Sequence, residues 1–316
     1  MRHAWIIGAN GLLGRALYRT LHSAGQRVFS PRAPLPWSDE SRLLAQLEAA
    51  VVEFSQGVGQ SDTWEIYWAA GVGTMASSVD ELLRETVALG AFLNMLDAQP
   101  ALRNSQGAIG FASSAGALYA GAADEVITEQ TAVAPTTPYA HAKLEQEALI
   151  RAFTKRQDGV CSLTARISTL YGAGQSVSKK QGLLTHIARS IVRNKPIQVY
   201  VPFDTIRDYI TATDAAARII LTMRRKQDEA RNLTLIVASE NPTTIAEIIA
   251  TFKRVARRTP RVVTSVSRNT ALYARKVQFR SISQAVPGPY PSTSLLVGIG
   301  QLLQTERLYF AQAASN

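Results

Sequence analysis

The stretch Ala4–Gly14, AWIIGANGLLG, decides the fold of this chain. Its first half is an apolar run typical of a buried strand, and the sequence from Arg15 to Ala24 favours a helix. Between them glycines recur every third residue, which permits a tight turn, and the helix N-terminus offers N–H donors and a positive dipole to a pyrophosphate. We therefore predict that a dinucleotide binds at this turn, although glycine-rich turns of this kind also serve packing. The predicted contacts are Gly8, Asn10, Gly11, Leu12 and Gly14.

A second stretch, Phe111–Lys143, has the sequence FASSAGALYAGAADEVITEQTAVAPTTPYAHAK. It begins as a short apolar strand that ends in two serines, continues as a polar loop and enters a helix at Pro138. Thr137 is a favourable N-cap residue, and proline suits the first helical position because its missing N–H is not needed there. The stretch therefore predicts a strand, a loop and a helix whose first turns carry reactive groups.

Tyr139 and Lys143 lie four residues apart on this helix, so they share one face. A phenol is a poor base at neutral pH, and we expect the nearby ammonium to lower the pKa of Tyr139. Ser114 can hold a substrate oxygen while Tyr139 gives or takes its proton. This arrangement suits hydride transfer between a carbinol or ketone and a nicotinamide, although a Tyr–Lys pair at this spacing also occurs by chance.

These motifs together resemble the active-site region of the extended short-chain dehydrogenases/reductases, the NAD(P)-dependent epimerase/dehydratase group. The shared features are the Gly-x-x-Gly-x-x-Gly turn, a strand ending Ser-Ser-Ala, a Leu-Tyr pair, a Thr-Glu before the helix, and Pro-Tyr followed by Lys. The resemblance implies that Ser114, Tyr139 and Lys143 are catalytic, that the last two also hold the nicotinamide ribose, and that Ser113 is structural. It extends along nearly the whole chain and is weakest in the C-terminal quarter.

A third segment, Trp64–Ala70, is expected to be the fourth strand of the fold. The resemblance implies that the small residues at its end let the backbone approach the dinucleotide, and that the loop leading to Thr74 faces the substrate. In the amphipathic helix predicted from Val79 to Ala98, Thr86 replaces an asparagine that family members often carry. The predicted cofactor contacts in this segment are Ala69, Ala70 and Gly71.

On the substrate side the resemblance is looser. The segment Arg166–Gly172, RISTLYG, resembles the passage of the family's chain into its substrate domain, but Thr169 replaces the usual asparagine. The exact pose of a sugar nucleotide in relatives therefore transfers less securely to this chain. The predicted substrate contacts are Thr74, Ser114, Ala115, Thr169 and Arg207.

Arg207 belongs to a segment, Thr205–Ile210, that resembles a family motif whose arginine reaches a substrate phosphate. A guanidinium suits this role because its fork matches phosphate oxygens in pairs. The alternative for Arg207 is a structural salt bridge to Asp208 or Asp214.

The end of the second predicted strand, Gln26–Ser30, indicates which dinucleotide binds. NAD-specific proteins usually carry an acid there for the ribose 2′-hydroxyl, whereas this chain has Arg32 at that place, with Ser30 close by. An arginine pairs well with a 2′-phosphate, so we predict that NADP(H) is preferred over NAD(H). The alternative is that Arg32 is an exposed loop residue of a basic protein.

The composition is that of a globular protein. The chain has 316 residues, of which 46% are hydrophobic and 18% are charged. No apolar run is long enough to span a membrane, and the single cysteine, Cys161, excludes an internal disulfide or a cysteine zinc cluster. We therefore expect a cytoplasmic protein without a metal site, in which Ala4–Gly8 is a core strand and not part of a signal peptide.

The formal charge is +10, and no acid interrupts a basic run between Glu247 and Glu306. Such a run can bind nucleic acid, a membrane surface or a phosphorylated substrate, or it can be a solvated face. Nucleic acid is the weakest of these interpretations because interleaved aromatics, a recognition-helix motif and zinc-finger spacing are lacking. The cations are Lys253, Arg254, Arg257, Arg258, Arg261, Arg268, Arg275, Lys276 and Arg280.

The fold that these patterns predict is α/β, a doubly wound Rossmann parallel sheet with a smaller C-terminal α/β lobe for the substrate. We place the NADP(H)-binding domain at residues 1–168 and the substrate lobe at 169–316, with residues 205–238 returning to pack on the first domain. The resemblance implies a nucleotide-diphosphate sugar as the substrate. It also implies a homodimer formed through the helices around Val79–Ala98 and Tyr139–Phe153.

The expected reaction is the reduction of a keto-sugar by NADPH. Dehydratases of the family carry Asp-Glu after the catalytic hydroxyl residue, whereas Ala115 and Gly116 follow Ser114 in this chain, which disfavours dehydration. An NAD-dependent nucleotide-sugar epimerase is the main alternative, and a non-catalytic NADP(H)-binding sensor is a further one. The presence of Ser114, Tyr139 and Lys143 together argues against the sensor.

Overall fold

The computed structural model describes residues 1–71, 73–75, 77–175, 182–226, 231–264, 277–283 and 292–314. Its strands are β1 (Arg2–Ile7), β2 (Val28–Phe29), β3 (Thr63–Trp68), β4 (Gln106–Ser114), β5 (Val160–Ile167), β6 (Thr169–Tyr171), β7 (Ile197–Val199), β8 (Ile206–Thr211), β9 (Asn232–Val237), β10 (Pro242–Thr244) and β11 (Val262–Thr264). Its helices are α1 (Leu12–Ser23), α2 (Glu40–Gln56), α3 (Val79–Asp97), α4 (Pro100–Arg103), α5 (Ala115–Leu118), α6 (Pro138–Arg156), α7 (Leu183–Val192), α8 (Ala212–Lys226), α9 (Ile245–Ala256) and α10 (Leu295–Ala314).

Six strands form a fully parallel central sheet in the order β2–β1–β3–β4–β5–β9. Helices cover both faces of such a sheet, which explains why β5 is buried at every residue. The strand expected to be the fourth is β3, the third in chain order, so that expectation is wrong. The physical reason is that residues 30–62 contribute helix α2 and no strand to the fold.

Each face of the sheet has its own apolar core, as a doubly wound fold requires. On one face α2, α3 and α6 pack on large side chains, among them Trp5, Trp64 and Phe111. On the other face α1 and α8 pack on smaller side chains such as Ala4 and Ala108. Burying one large apolar side chain contributes about 1.5–3 kcal/mol, so the many side chains of the two cores fix the sheet between its helices.

The C-terminal part of the chain adds a smaller lobe. It contains a three-stranded sheet in the order β10–β8–β6 and a two-stranded sheet of β11 and β7. Helices α7, α9 and α10 enclose its core around Tyr171, Ile187 and Phe252. Helix α8 instead packs against α1, and β9 completes the central sheet, whereas β8 pairs with β6 and β10 of the lobe. The domain boundary after residue 168 and the return of residues 205–238 to the first domain stay predictions.

The basic run lies partly on α9 and the loop after it. Six of its cations are described and all six are exposed, which is what a solvated face requires. Cations at the end of α9 also compensate the negative end of the helix dipole. Arg268, Arg275 and Lys276 lie outside the described residues. Within the described ranges, no helix combines the length and the apolar character needed to cross a membrane.

A buried ion pair fastens α6 to the sheet. The Glu147 carboxylate is fully buried and accepts hydrogen bonds from Arg166 Nε at 3.0 Å and Nη2 at 2.8 Å. Ser113 Oγ donates to the same carboxylate at 2.7 Å, which agrees with the structural role expected for Ser113. Arg166 Nη1 also donates to Tyr119 Oη at 2.6 Å. One carboxylate thus joins β4, β5 and α6.

Replacing Arg166 with Met should lower the free energy of unfolding by about 3–5 kcal/mol, because the buried Glu147 would lose both hydrogen bonds from Arg166 and keep only the half-exposed Arg151 as a counter-charge. The double variant Arg166→Met/Glu147→Leu should be more stable than Arg166→Met, since it removes both charges. Urea unfolding followed by circular dichroism measures both. Arg103→Met is the control, because the Arg103 side chain is 61% exposed and lies 4.0 Å from Asp97. A loss in Arg166→Met no larger than in this control would contradict the assigned role of the buried pair.

Candidate active site

The glycine turn after β1 forms a cradle without side chains. Gly8 has a φ of +87°, and a Cβ at this position would lie 2.6 Å from the backbone nitrogen of Ala70. A Cβ at Gly14 would lie 2.1 Å from the carbonyl oxygen of Gly8. Gly11 N donates to the same carbonyl at 2.9 Å, and Gly11 and its neighbour Asn10 are exposed. The closely packed backbone ahead of the N-terminus of α1 fits a dinucleotide pyrophosphate.

The predicted contacts after β3 lie beside this turn because β3 pairs with β1. Ala69 N donates to the carbonyl of Ile7, the last residue of β1, at 2.9 Å, and Ala70 follows against Gly8. Gly71 is exposed and has a φ of +146°, which favours glycine. Leu12 begins α1 and packs partly into the core on that face of the sheet, so its side chain supports the turn.

Ser30 and Arg32 follow β2 and lie at the same edge of the sheet, and both are exposed. Arg32 Nε donates to Glu53 Oε1 of α2 at 3.1 Å, while the Arg32 side chain is still 90% exposed. Ion pairs at such exposure contribute only about 0–1 kcal/mol. The Arg32 guanidinium is therefore open to solvent after β2, which both the predicted phosphate contact and the alternative of an exposed loop arginine require.

The three predicted catalytic residues come together where β4 ends and α6 begins. Ser114 is the last residue of β4, and its hydroxyl lies near enough to the Tyr139 phenol to favour the phenolate. Thr137 caps α6 as predicted, its hydroxyl accepting from Ala140 N at 3.2 Å, which fixes the first turn of the helix. Lys143 follows one turn after Tyr139, and its Nζ lies 5.8 Å from the centre of the Tyr139 ring.

The predicted effect of Lys143 on the phenol does not appear in the structure. Burial, and after it the negative charge of Glu85, raises the pKa of Tyr139 to about 12, although the hydrogen bond from Ser114 acts in the opposite direction. The net shift of the Tyr139 pKa is therefore opposite to the expected one, because desolvation and the charge of Glu85 outweigh the groups that favour the phenolate. The phenol is protonated at neutral pH, and the arrangement suits an acid.

Glu85, on α3, is a site residue that the sequence analysis missed. Its Oε1 accepts a hydrogen bond from Gly73 N at 2.6 Å, so it holds the loop that follows β3. In the same loop Thr74 N donates to Ser77 Oγ at 3.1 Å, which places Thr74 in a tight turn beside the site. The carboxylate also faces the catalytic pair, since its charge raises the pKa of Tyr139. Only its place next to Thr86, at the departure from the family pattern, could have drawn attention to it.

Lys143 is buried and bound to α3 through a second helical side chain. Its Nζ donates to Gln146 Oε1 at 2.9 Å, and Gln146 Nε2 donates to Thr86 Oγ1 at 3.1 Å. Burial lowers the pKa of Lys143, whereas the charges of Glu85 and Glu147 raise it. Gln146 was also missed, although its spacing of three residues from Lys143 puts both on one helix face.

On the substrate side, Thr169 begins β6 directly after β5, whose last residue pairs with Ser114. Thr169 pairs with Tyr209 of β8, which places Arg207, two residues earlier in β8, on the same side of that strand. Thr169 thus lies in the ladder between β6 and β8, whereas Arg207 pairs with Thr243 of β10 on the other side of β8. Ala115, in contrast, is fully buried in α5, so its side chain is closed to a ligand.

The carboxylates that the alternative for Arg207 requires are engaged by other donors. Asp208 is buried and accepts hydrogen bonds from Ser239 N and Ser239 Oγ, both at 2.8 Å. Asp214 accepts from Thr293 N at 2.8 Å and from Thr293 Oγ1 at 3.0 Å. These bonds join β8 to the segment after β9, and α8 to the segment before α10.

A doubly wound sheet with a phosphate-shaped turn after its first strand defines a Rossmann-fold, dinucleotide-binding protein. Within that class, the profile of the NAD dependent epimerase/dehydratase family matches residues 4–238, from β1 to the end of β9. The chain belongs to this family, as the resemblance of its motifs predicted.

Curated relatives match only part of the chain. The dTDP-4-dehydro-6-deoxyglucose reductase of Escherichia coli is 31% identical over 119 residues, which are 38% of this chain and 37% of that protein. The alignments with curated relatives thus span well under half of their length.

Solved structures resemble the whole chain. MoeE5 in complex with UDP-glucose and NAD has a TM-score of 0.79 at 22% identity, covering 98% of this chain and 99% of that one. RMD from Pseudomonas aeruginosa complexed with NADPH has a TM-score of 0.79 at 18% identity, covering 98% and 100%. These likenesses establish the predicted α/β fold over the length of the chain.

Replacing Glu85 with Gln should lower the pKa of Tyr139 below its value of about 12, because a nearby negative charge is removed. Replacing Ser114 with Ala should raise it, because the phenolate loses a hydrogen-bond donor. Tyrosinate absorbance against pH measures this, as the difference between each variant and the same variant carrying Tyr139→Phe. Asp80→Asn, which removes an exposed acid from the same helix, is the control. A pKa in Glu85→Gln equal to that in the control would contradict the assigned effect of Glu85.

Proposed function

We propose that this chain catalyses the reduction of a keto group in a nucleotide-diphosphate sugar, with NADPH as the hydride donor. The observation that carries the proposal is the meeting of Ser114, at the end of β4, with Tyr139 and Lys143 on the first turns of α6, where the Tyr139 phenol is protonated at neutral pH. The pair lies at the sheet edge that holds the glycine cradle. The name of the Escherichia coli relative, a reductase of a dTDP-4-keto sugar, supports the substrate class and the reaction.

The proposed mechanism assigns one task to each catalytic side chain. A nicotinamide dinucleotide, when bound, supplies the hydride for the carbonyl carbon. Tyr139 gives its proton to the carbonyl oxygen as negative charge develops there. Ser114 donates a hydrogen bond to the same oxygen and so orients the keto group. The Lys143 ammonium stabilises the phenolate that remains after the transfer.

Binding is assigned to backbone and to a few polar side chains. The cradle between Gly8 and Gly14 takes the pyrophosphate, and Ser30 and Arg32 take the phosphate on the adenosine ribose. Thr169 on β6 and Arg207 on the neighbouring strand β8 would contact the diphosphate of the sugar nucleotide. Neither step requires a metal ion.

An epimerase is the second candidate, and one observation favours it. Arg32 is paired with Glu53 in the structure, so the positive charge that distinguishes NADP from NAD is partly compensated. An epimerase of the family would keep NAD⁺ tightly bound and return the hydride to the opposite face of the sugar. A dehydratase is disfavoured, because the fully buried Ala115 stands where dehydratases of the family carry an acid.

The purified chain should release NADP(H) when it is denatured, or be empty and then bind NADPH better than NADH. Mass spectrometry of the released material and fluorescence titration measure this, and retained NAD⁺ would instead indicate the epimerase.

Turnover is then measured with NADPH and 4-keto nucleotide sugars, beginning with dTDP-4-dehydro-6-deoxyglucose. Tyr139→Phe should lower kcat by about 10²–10⁴-fold, because the general acid is lost. Turnover in Tyr139→Phe equal to that of wild type would contradict the mechanism. If the wild-type protein also shows no turnover, a sensor is favoured.

Replacing Arg32 with Ala should weaken NADPH binding by about 1.5–3 kcal/mol, the usual contribution of a hydrogen bond to a charged group. NADH binding should not change, because that dinucleotide lacks the 2′-phosphate. Glu53→Gln is the matched control, since it removes only the ion-pair partner and should leave NADPH binding unchanged or stronger. Equal losses of NADPH and NADH affinity in Arg32→Ala would contradict the predicted preference for NADP(H).

We also propose that the protein is a cytoplasmic homodimer that associates through α3 and α6. Val79, Leu83 and Val87 recur every fourth residue of α3 and are 64%, 55% and 42% exposed, so they form an apolar stripe. Helix α6 packs beside α3. A continuous apolar stripe on a surface helix supports association with a second copy. The single, buried Cys161 fits a reducing compartment.

A further inference from the structure

A buried chain of hydrogen bonds connects Lys143 to the backbone of α3. The Lys143 ammonium donates to Gln146 Oε1 at 2.9 Å, and Gln146 Nε2 donates to Thr86 Oγ1 at 3.1 Å. Thr86 Oγ1 in turn donates to the carbonyl oxygen of Leu82 at 3.1 Å. The three side chains are 6%, 2% and 5% exposed, so water does not compete for these bonds.

The hydrogen bonds of this series can run in only one direction, from Lys143 to Gln146 and from Gln146 to Thr86. The one proton of the Thr86 hydroxyl is used on the carbonyl of Leu82, so its oxygen can only accept from Gln146. This fixes the amide with its nitrogen towards Thr86 and its oxygen towards Lys143. A reversed amide would set an NH₂ group against an ammonium, and two donors cannot satisfy each other in a buried site.

We propose that Gln146 and Thr86 are positioning residues for Lys143, which hold its side chain in place and keep it an ammonium on the face of α6 that carries Tyr139. This inference deepens the proposed function and rests on it for the role of Lys143. Gln146 is the group that orients the ammonium, and Thr86 is the group that orients Gln146.

A neutral acceptor suits this task better than a carboxylate would. The charged groups that face Lys143 are Glu85 from α3 and Glu147 from its own helix, with the Tyr139 phenol one turn away. The third packed element, β4, contributes the Phe111 ring, whose centre lies 5.1 Å from Nζ. An amide oxygen stabilises the ammonium without neutralising it, so the field of the ammonium remains available to the phenolate formed on Tyr139.

The first test measures the Lys143 ammonium directly, without any substrate. The full-length protein is labelled with ¹⁵N in its lysine side chains, and the Nζ signal of Lys143 is identified by its loss in Lys143→Arg. Its titration is compared in wild type, Gln146→Met, Gln146→Glu and Thr86→Val, with Thr86→Ser as the conservative variant. Thr154→Val is the control, because Thr154 is a buried hydroxyl on the same helix that bonds only within it, to Ile150 O at 2.8 Å.

The proposal predicts an order of pKa values for Lys143. Gln146→Met lowers the pKa because the ammonium loses its acceptor, and Thr86→Val lowers it less because the amide is no longer fixed. Gln146→Glu raises it, while Thr86→Ser and Thr154→Val match wild type. A pKa that is the same in Gln146→Met, Thr86→Val and wild type would overturn the proposal, and so would an equal change in Thr154→Val. Thr86→Val decides the question if Gln146→Met does not fold.

The second test uses the proposed reaction. Turnover of dTDP-4-dehydro-6-deoxyglucose with NADPH should fall at alkaline pH, because reduction requires Lys143 to be charged. The pH at which turnover falls should be lower in Gln146→Met than in wild type, and higher in Gln146→Glu. At neutral pH kcat should fall roughly 10- to 100-fold in Gln146→Met, with KM little changed. Alkaline limits that coincide in the two variants would overturn the positioning role. If wild type turns over no keto-sugar, the proposed function fails, while the lysine titration still decides the inference about Gln146 and Thr86.

Discussion

The buried pair of Glu147 and Arg166 is the contact on which the geometry of the site depends. A charge removed from water costs several kcal/mol unless it is paired and hydrogen-bonded, and Glu147 is fully buried. Two bonds from Arg166 and one from Ser113 offset that cost only when α6 has one position relative to β4 and β5. Any shift of α6 along its axis would break the three hydrogen bonds that Glu147 accepts from Arg166 and Ser113. The pair thus fixes the helix that presents Tyr139 and Lys143.

The second constraint is the close packing of backbone at the carboxyl edge of the sheet. Gly8 lies against Ala70, and the Gly14 Cα lies against the carbonyl of Gly8, in contacts that leave no room for side chains. The parallel order of the strands brings the segments after β1, β2 and β3 and the end of β4 to the same edge. The cofactor cradle and the catalytic pair are therefore neighbours because of the topology of the sheet, although a hundred residues separate Gly14 from Ser114 in the sequence.

Within the site, the partly buried Tyr139 and the buried Lys143 are held in opposite ways. Tyr139 lies near the negative charge of Glu85 and remains a phenol at neutral pH. Lys143 is bound by a neutral amide, which supports a charged ammonium in a setting where burial disfavours it. Groups whose protonation is pushed in a definite direction by their surroundings are characteristic of catalytic sites. In this chain the surroundings come mainly from α3, through Glu85 and Thr86.

The sequence by itself determined the features that depend on short-range rules. Glycine spacing after an apolar run, a threonine cap before Pro138, and the shared face of Tyr139 and Lys143 involve residues within one or two turns of each other, so local stereochemistry decides them. The tertiary structure decided the rest. Thr86 and Gln146 are 60 residues apart when they bond, and Arg32 meets Glu53 across 21 residues. The direction in which the Tyr139 pKa shifts depends on burial, and residue spacing does not reveal burial. Desolvation is a property of the packed site and not of the order of residues along the chain.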